Sequence, residues 1–398
     1  MPARPSSGEL HRTLIVLIAA IVGGACAGAA AGWSVASWQE WPAGTSVTWP
    51  GQGTTSTPAT PTSTSSGDGI TVIPVERRPQ SLLPSPFLER RSSPVAGAYR
   101  QIKGSAALEG LLTDERLLGQ AVAVTSDGWF LLPSSIVAGL RPADVLISHE
   151  TGSATATRMV ADRASGVTFV KTPLSNLPAA PFARAADVTP GLAAWLERRS
   201  GRIEPTGIVA LAQPPASMDG VLSETVMRRG SAAGESAGGD IGAPLWSGNG
   251  ALIGIVTSAP DASLAYLPSS AWIASLQSLL SSGAIRHASL GARTVDLALA
   301  QFDASRAPLP ERGALIHEDR AGKKPAIERG SSAAAAGLRA GDVIQSVDRD
   351  ILDGSADLAE LLAQYRPGSH VTLSVLRAGL VLDVAVDLGT VETGEEVK

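Results

Sequence analysis

Gly239-Asp240-Ile241-Gly242-Ala243-Pro244-Leu245, followed by Leu252-Ile253-Gly254-Ile255, is the stretch on which the reading of this chain turns. Gly242, Pro244 and Gly254 suit tight turns and close backbone packing. Taken alone, the stretch is an ordinary loop of a β-barrel with a strand behind it. Its surroundings extend the pattern. Residues 121–124, 129–132, 145–147, 167–170, 208–211 and 252–256 read as short strands, with a turn at Ser126-Asp127-Gly128. The spacing then predicts a closing helix over 272–280, apolar at Trp272, Ile273, Leu276, Leu279 and Leu280 and ended by Ser281-Ser282-Gly283.

At 398 residues the chain has room for two globular domains and extensions. Charged residues make up 17% and the net charge is −5, which gives no reason to expect nucleic acid as a partner. Cys26 is the sole cysteine, so neither an intramolecular disulfide nor a cysteine metal site can form. His11, His149, His287, His317 and His370 show no short-range ligand spacing, so no metal or other cofactor is expected.

Leu14 to Gly32 is an uncharged run of 19 residues, about long enough to cross a bilayer. Arg4, His11 and Arg12 precede it, which keeps residues 1–12 cytoplasmic, makes 13–33 a transmembrane anchor and puts the rest outside. Trp33, Trp38 and Trp41 suit the outer interface. A cleaved signal peptide ending near Ala25-Cys26-Ala27, or an acylated Cys26, is the alternative. All three readings put the bulk of the chain outside the cytoplasm. Residues 34–97 are a Pro/Ser/Thr-rich linker and extended segment, with a β-like run at 70–73.

A second unit begins near His287. Strands, a helix over about 355–364 and a last strand pair, 371–376 and 381–388, are expected, with the turn at Arg377-Ala378-Gly379. Residues 393–398 read as a polar, frayed tail.

In order, these landmarks resemble the HtrA/Deg family of trypsin-like serine proteases. There the first loop reads Gly-Asn-Ser-Gly-Gly-Pro-Leu, so Ile241 stands at the nucleophile's place. The family's Thr-Asn-x-His-Val-Val stretch corresponds to residues 132–137, with Ser135 at the histidine. Its Asp-x-x-Ser-Asp-Leu-Ala-Val segment corresponds to 162–169, with Gly166 at the aspartate. Leu177 to Phe182 and Ala265-Tyr266-Leu267-Pro268 match further landmarks. The resemblance implies a mostly β chain of bacterial origin: a trypsin-like double β-barrel over 98–283, a PDZ domain over 284–392 and the N-terminal transmembrane helix.

It also implies lost chemistry. A serine hydroxyl attacks only when a base takes its proton, and the base needs an orienting carboxylate. With Ser135, Gly166 and Ile241 all three roles are vacant, so the chain is expected to be a pseudoprotease rather than an enzyme. His149 is expected on the surface. The alternative is an active serine endopeptidase with an unconventional nucleophile, for which Ser134, Ser135, Ser236 and Lys171 are the raw material.

Residues 331–344 resemble the Ser-Pro-Ala-x-x-Ala-Gly-Leu-x-x-Gly-Asp-Val-Ile pattern of the family's PDZ domain. Such domains add an extended peptide to a sheet edge and receive its terminal carboxylate in a backbone loop. Ser289-Leu290-Gly291-Ala292 falls at that loop, and Arg293 and Thr294 follow as the pairing strand. Leu358, Leu361 and Leu362, at i, i+3 and i+4, would face the peptide's side chain, although core packing accounts for at least one of them. Residues 318–330, with Lys323-Lys324-Pro325, are expected to loop out. The implied partners are peptide or protein C-termini, the membrane, and copies of the chain or of an active relative in a trimer. The implied place is the bacterial inner membrane, with the bulk of the chain periplasmic.

Overall fold

The computed structural model describes Phe87 and residues 92–102, 111–213, 219–235, 239–259, 263–300 and 309–397. The expected anchor at 13–33, the β-like run at 70–73 and Ser236 lie outside the described residues. Among the described residues no helix is long and apolar enough to cross a membrane.

The first sheet is built from β1 (Val95–Arg100), β2 (Leu117–Ala123), β3 (Trp129–Pro133), β4 (Val145–His149), β5 (Gly152–Thr155), β6 (Arg158–Asp162) and β7 (Val167–Lys171), in the order β6-β7-β3-β2-β1-β4-β5. One turn of helix, α1 (Ser134–Val137), follows β3. Alternation puts Ala121, Ala123, Phe130, Leu132 and Ile147 on one face, where they pack with Met159 and Val170. Leu131 and Phe169, on the other face, pack against the second barrel.

That barrel uses β8 (Ala193–Glu197), β9 (Ile203–Ala210), β11 (Gly230–Ala233), β12 (Pro244–Ser247), β13 (Leu252–Ser258) and β14 (Ser263–Pro268), closed in the order β11-β14-β13-β12-β8-β9. Between β9 and β11 the chain leaves the barrel and forms the two-residue strand β10 (Val221–Leu222). Trp246 and Trp272 are fully buried in the core shared by the two barrels. The expected closing helix is α2 (Ile273–Ser282), and its Leu276 and Leu279 pack into the same core.

The second unit holds β15 (Arg286–Ser289), β16 (Arg293–Asp296), β17 (Ala314–Ile316), α3 (Ser332–Ala335), β18 (Val343–Val347), β19 (Asp350–Ile351), α4 (Leu358–Leu362), β20 (His370–Arg377), β21 (Leu380–Asp387), β22 (Gly389–Glu392) and β23 (Gly394–Glu396). The helix is shorter than its pattern predicts. Asp357 caps it by accepting from Glu360 N, and Glu360 reaches back to Asp357 N, so this capping box sets the first turn at Leu358.

Two strands cross between the units. β10, which belongs in sequence to the barrels, pairs antiparallel with β16 at the edge of the PDZ-like sheet. β23, which follows that sheet, pairs antiparallel with β6 at the edge of the first barrel sheet. The tail is thus an eighth strand rather than a frayed end, at least as far as Val397, whose amide donates to Met159 O. The sheet edge supplies what the polar tail lacks, since pairing an open edge satisfies backbone groups without needing an apolar side chain.

One buried carboxylate fastens this junction. Asp162, 1% exposed, accepts from Ala164 N, from Ser165 Oγ at 2.6 Å, from Ser275 Oγ of α2 at 2.7 Å and from Thr393 Oγ1 at 2.6 Å. His287 Nε2 lies 3.2 Å from Ser275 Oγ. Hydrogen bonds to a charged acceptor are worth more than neutral ones. Thr393→Val is expected to lower unfolding stability by about 1–2 kcal/mol, read as a drop in urea midpoint at unchanged slope.

Candidate functional site

Three backbone elements meet where the protease resemblance locates its chemistry. The loop before β12 carries Ile241, whose carbonyl accepts from Gln120 N at 2.7 Å, while Gly242 N donates to Val256 O at 2.8 Å. Gly242 has φ +89°, and a side chain there would collide with the Gln120 carbonyl, so only glycine fits. Asp240, beside it, is 3% exposed and ion-paired with Arg198, which also holds Glu204 at 2.9 Å. Burial works against the Arg198 charge, but its bonds to Glu204 and Asp240 outweigh that and raise its pKa. The loop is therefore held rigidly, with an aliphatic side chain at its apex.

The residue of α1 that approaches this loop is Ile136. Its Cδ1 and the Ile241 carbonyl oxygen both lie within 2.8 Å of the point a side chain on Gly119 would occupy. Ser135, expected at the histidine's place, is exposed instead. Gly166 O accepts from Ser134 N at 2.9 Å, which ties the aspartate's place to α1. Arg229 fills the space beside Gly166: its Nη2 lies 3.6 Å from where a Cβ would be and donates to Ser165 O at 3.2 Å.

Neither Gly166 nor Ile241 carries a side chain that can transfer a proton or attack a carbonyl, and Ser135 carries only an exposed hydroxyl. Two of the other candidates are engaged elsewhere. Ser134 Oγ pairs with Thr168 Oγ1 at 2.9 Å, and Lys171 Nζ with Asp127 Oδ2 at 2.7 Å. His149 is buried, not on the surface: Nδ1 meets Thr151 Oγ1 at 2.9 Å and Nε2 meets Ser93 O at 2.6 Å.

In the second unit, Leu290, Gly291, Ala292 and Arg293 lie where the chain turns into β16. Leu290 and Ala292 are fully buried, and Arg293 is 7% exposed with Nη2 on Glu328 at 3.1 Å. Leu358, Leu361 and Leu362 are all buried in the unit's own core, with Ile344, Val371 and Leu373. Ala359 of α4 instead belongs to the barrel core, together with Val226 and Trp272. Of residues 318–330, Asp319 to Lys324 form an exposed turn, whereas Ala326 and Ile327 return to the core.

The free edge of β16 is not open. Val221 faces Thr294 and Leu222 faces Arg293 in antiparallel register, and Ser223 N donates to Ala292 O at 2.9 Å. Sequence reasoning missed this segment because two apolar residues between polar ones give no strand signal.

With the geometry in hand, the class of protein is defined by its fold: a trypsin-like double barrel followed by a PDZ domain. Residues 290–388 match the family model described as a PDZ domain. Over 158 residues the chain is 32% identical to the periplasmic pH-dependent serine endoprotease DegQ of Escherichia coli (strain K12), covering 38% of this chain and 33% of that protein. Over 297 residues it is 24% identical to a probable periplasmic serine endoprotease DegP-like of Halomonas elongata, covering 71% of this chain and 58% of that protein. The chain therefore spans less than two thirds of the length of these curated relatives. Among solved structures it is similar to an HtrA-type protease AlgW with tripeptide, at TM-score 0.54 and 21% identity, covering 77% of this chain and 96% of that one. A structure of AlgW with decapeptide gives TM-score 0.52 at 20% identity, covering 77% and 98%. At such identities the likeness is one of fold.

The contact between barrel and PDZ domain carries buried carboxylates. Asp357 Oδ2 accepts from Met227 N at 3.0 Å, and Ser270 Oγ donates to Glu360 Oε1 at 2.7 Å. Burial, together with the neighbouring Asp357, pushes the Glu360 pKa from 4.5 up to about 7. Burial also raises Asp357 and Asp296. The native chain thus holds protons that the unfolded chain has released, so stability falls as pH rises from about 4.5 to about 7 and levels off above. Glu360→Gln is expected to flatten part of that slope, measured as urea midpoint against pH.

Proposed function

We propose that this chain is a catalytically vacant HtrA-type protein of the bacterial envelope, anchored through residues 13–33, that holds peptides or protein termini through its PDZ domain. Its role is that of a scaffold, a regulator of an active relative or a holder of unfolded envelope proteins, as a homotrimer or in a mixed assembly. The observation that carries this reading is the sequence, which puts Ser135, Gly166 and Ile241 where the resembling family has base, carboxylate and nucleophile. The relatives, named as periplasmic serine endoproteases, support the location.

Those same names favour the second reading, an active endopeptidase with another nucleophile. Incubating the full chain with a fluorophosphonate serine-hydrolase probe and unfolded casein separates the two. No labelling and no cleavage are expected; labelling at one serine, with cleavage lost on its replacement, overturns the proposal. Restoring the nucleophile alone is not enough where base and carboxylate are missing. Ile241→Ser is expected to stay at the background rate of casein cleavage.

A further inference from the structure

The PDZ edge strand is occupied by the chain's own barrel. β10 runs antiparallel to β16 with its C-terminal end at Ser289–Ala292, the direction a terminal peptide takes on a sheet edge. Arg293 N donates to Ala326 O and its carbonyl accepts from His317 N, so both groups point away from β10. Leu222 and Arg293 are therefore a non-hydrogen-bonded pair, and Ser223 with Ala292 a bonded one.

At the loop end the segment presents acceptors. Leu290 N donates to Ser223 Oγ at 3.3 Å. Gly291 N donates to Ser289 Oγ at 3.0 Å, which in turn donates to Glu224 Oε2 at 3.0 Å. Ser223 Oγ also donates to Glu224 Oε2, at 3.1 Å. Ser223 is 1% and Glu224 6% exposed. A carboxylate carried on a side chain thus sits at the loop where a peptide's terminal carboxylate would go.

Past Glu224 the chain turns away, with Thr225 N donating to Leu222 O. Val226 then enters the barrel core, and Met227 N meets the Asp357 cap of α4. At the other end Gly220 passes so close to the second unit that any side chain would collide with the His317 carbonyl.

We propose that Val221–Glu224 is a built-in ligand of the PDZ domain, which an incoming peptide of the same chemistry, extended and ending in a carboxylate beside Ser289, must displace. The inference rests on the reading of this domain as a peptide binder. A tethered competitor acts at an effective concentration near millimolar, so the groove's affinity is reduced by the fraction of time it is free. Displacement also frees a segment continuous with β11 and with the α4 cap, so peptide capture is felt in the barrel.

The test uses the full chain in detergent micelles and one probe, a fluorescein-labelled peptide of residues 219–223 with a free C-terminal carboxylate, read by anisotropy. Gly220→Val and Glu224→Ala, each of which undoes the segment's fit, are expected to tighten probe binding at least about tenfold. A second chain carries Cys26→Ala, Leu222→Cys and Arg293→Cys, a cross-strand pair within disulfide reach. It is expected to oxidise readily, to lose probe binding when oxidised and to regain it on reduction. Failure of the disulfide to form overturns the proposal. Equal binding before and after oxidation overturns it while leaving peptide binding intact elsewhere. No binding by any form, Gly220→Val and Glu224→Ala included, overturns the peptide-binding reading itself and the ligand role with it.

Discussion

The arrangement of this molecule depends on one constraint: a carboxylate removed from water must be surrounded by donors. Asp162 ends β6 inside the protein, and its donors come from the turn it begins, from α2 and from the residue preceding β23. Those elements are separated by more than 200 residues of chain, between Asp162 and Thr393. Satisfying one acceptor therefore brings together the first barrel sheet, the linking helix and the end of the PDZ domain. β23 completes the closure by pairing with β6.

The reverse crossing, β10 on β16, gives the junction its second point of attachment. The barrels receive a strand from the PDZ domain, and the PDZ domain receives one from the barrels. Between them lie the capping box of α4 and its contacts with Met227 and Ser270, where burial raises the carboxylate pKa values. The region between the domains is thus polar, buried and sensitive to pH. The surroundings of the Ile241 loop differ: Ile136 and Ile241 are aliphatic, and Arg229 lies beside Gly166.

Much of the architecture was legible beforehand because it is local. Short continuous apolar runs such as Trp129–Pro133 and Leu252–Ser258, bounded by turn residues, declare strands, and the pattern at 331–344 marks its turn and strand by composition. The turn at Gly242 was legible too, since glycine and proline mark its loop. The phase of the four-residue helix α1 was not legible, because so short a helix carries no periodicity. His149 read as a surface histidine because nothing in its neighbourhood announces that Ser93 would reach it.

The sequence by itself determined several strands and their order, the PDZ pattern at 331–344, and that Ile241 stands in the loop before β12. Those properties reside in residue types and short spacings. Only the tertiary structure decided where Val221–Glu224 and Gly394–Glu396 would lie. Both are strands made by their partner's unpaired edge, and backbone hydrogen bonds to such an edge are nearly independent of side-chain identity. The same is true of Asp162, whose four donors are common residues until folding gathers them around one buried charge.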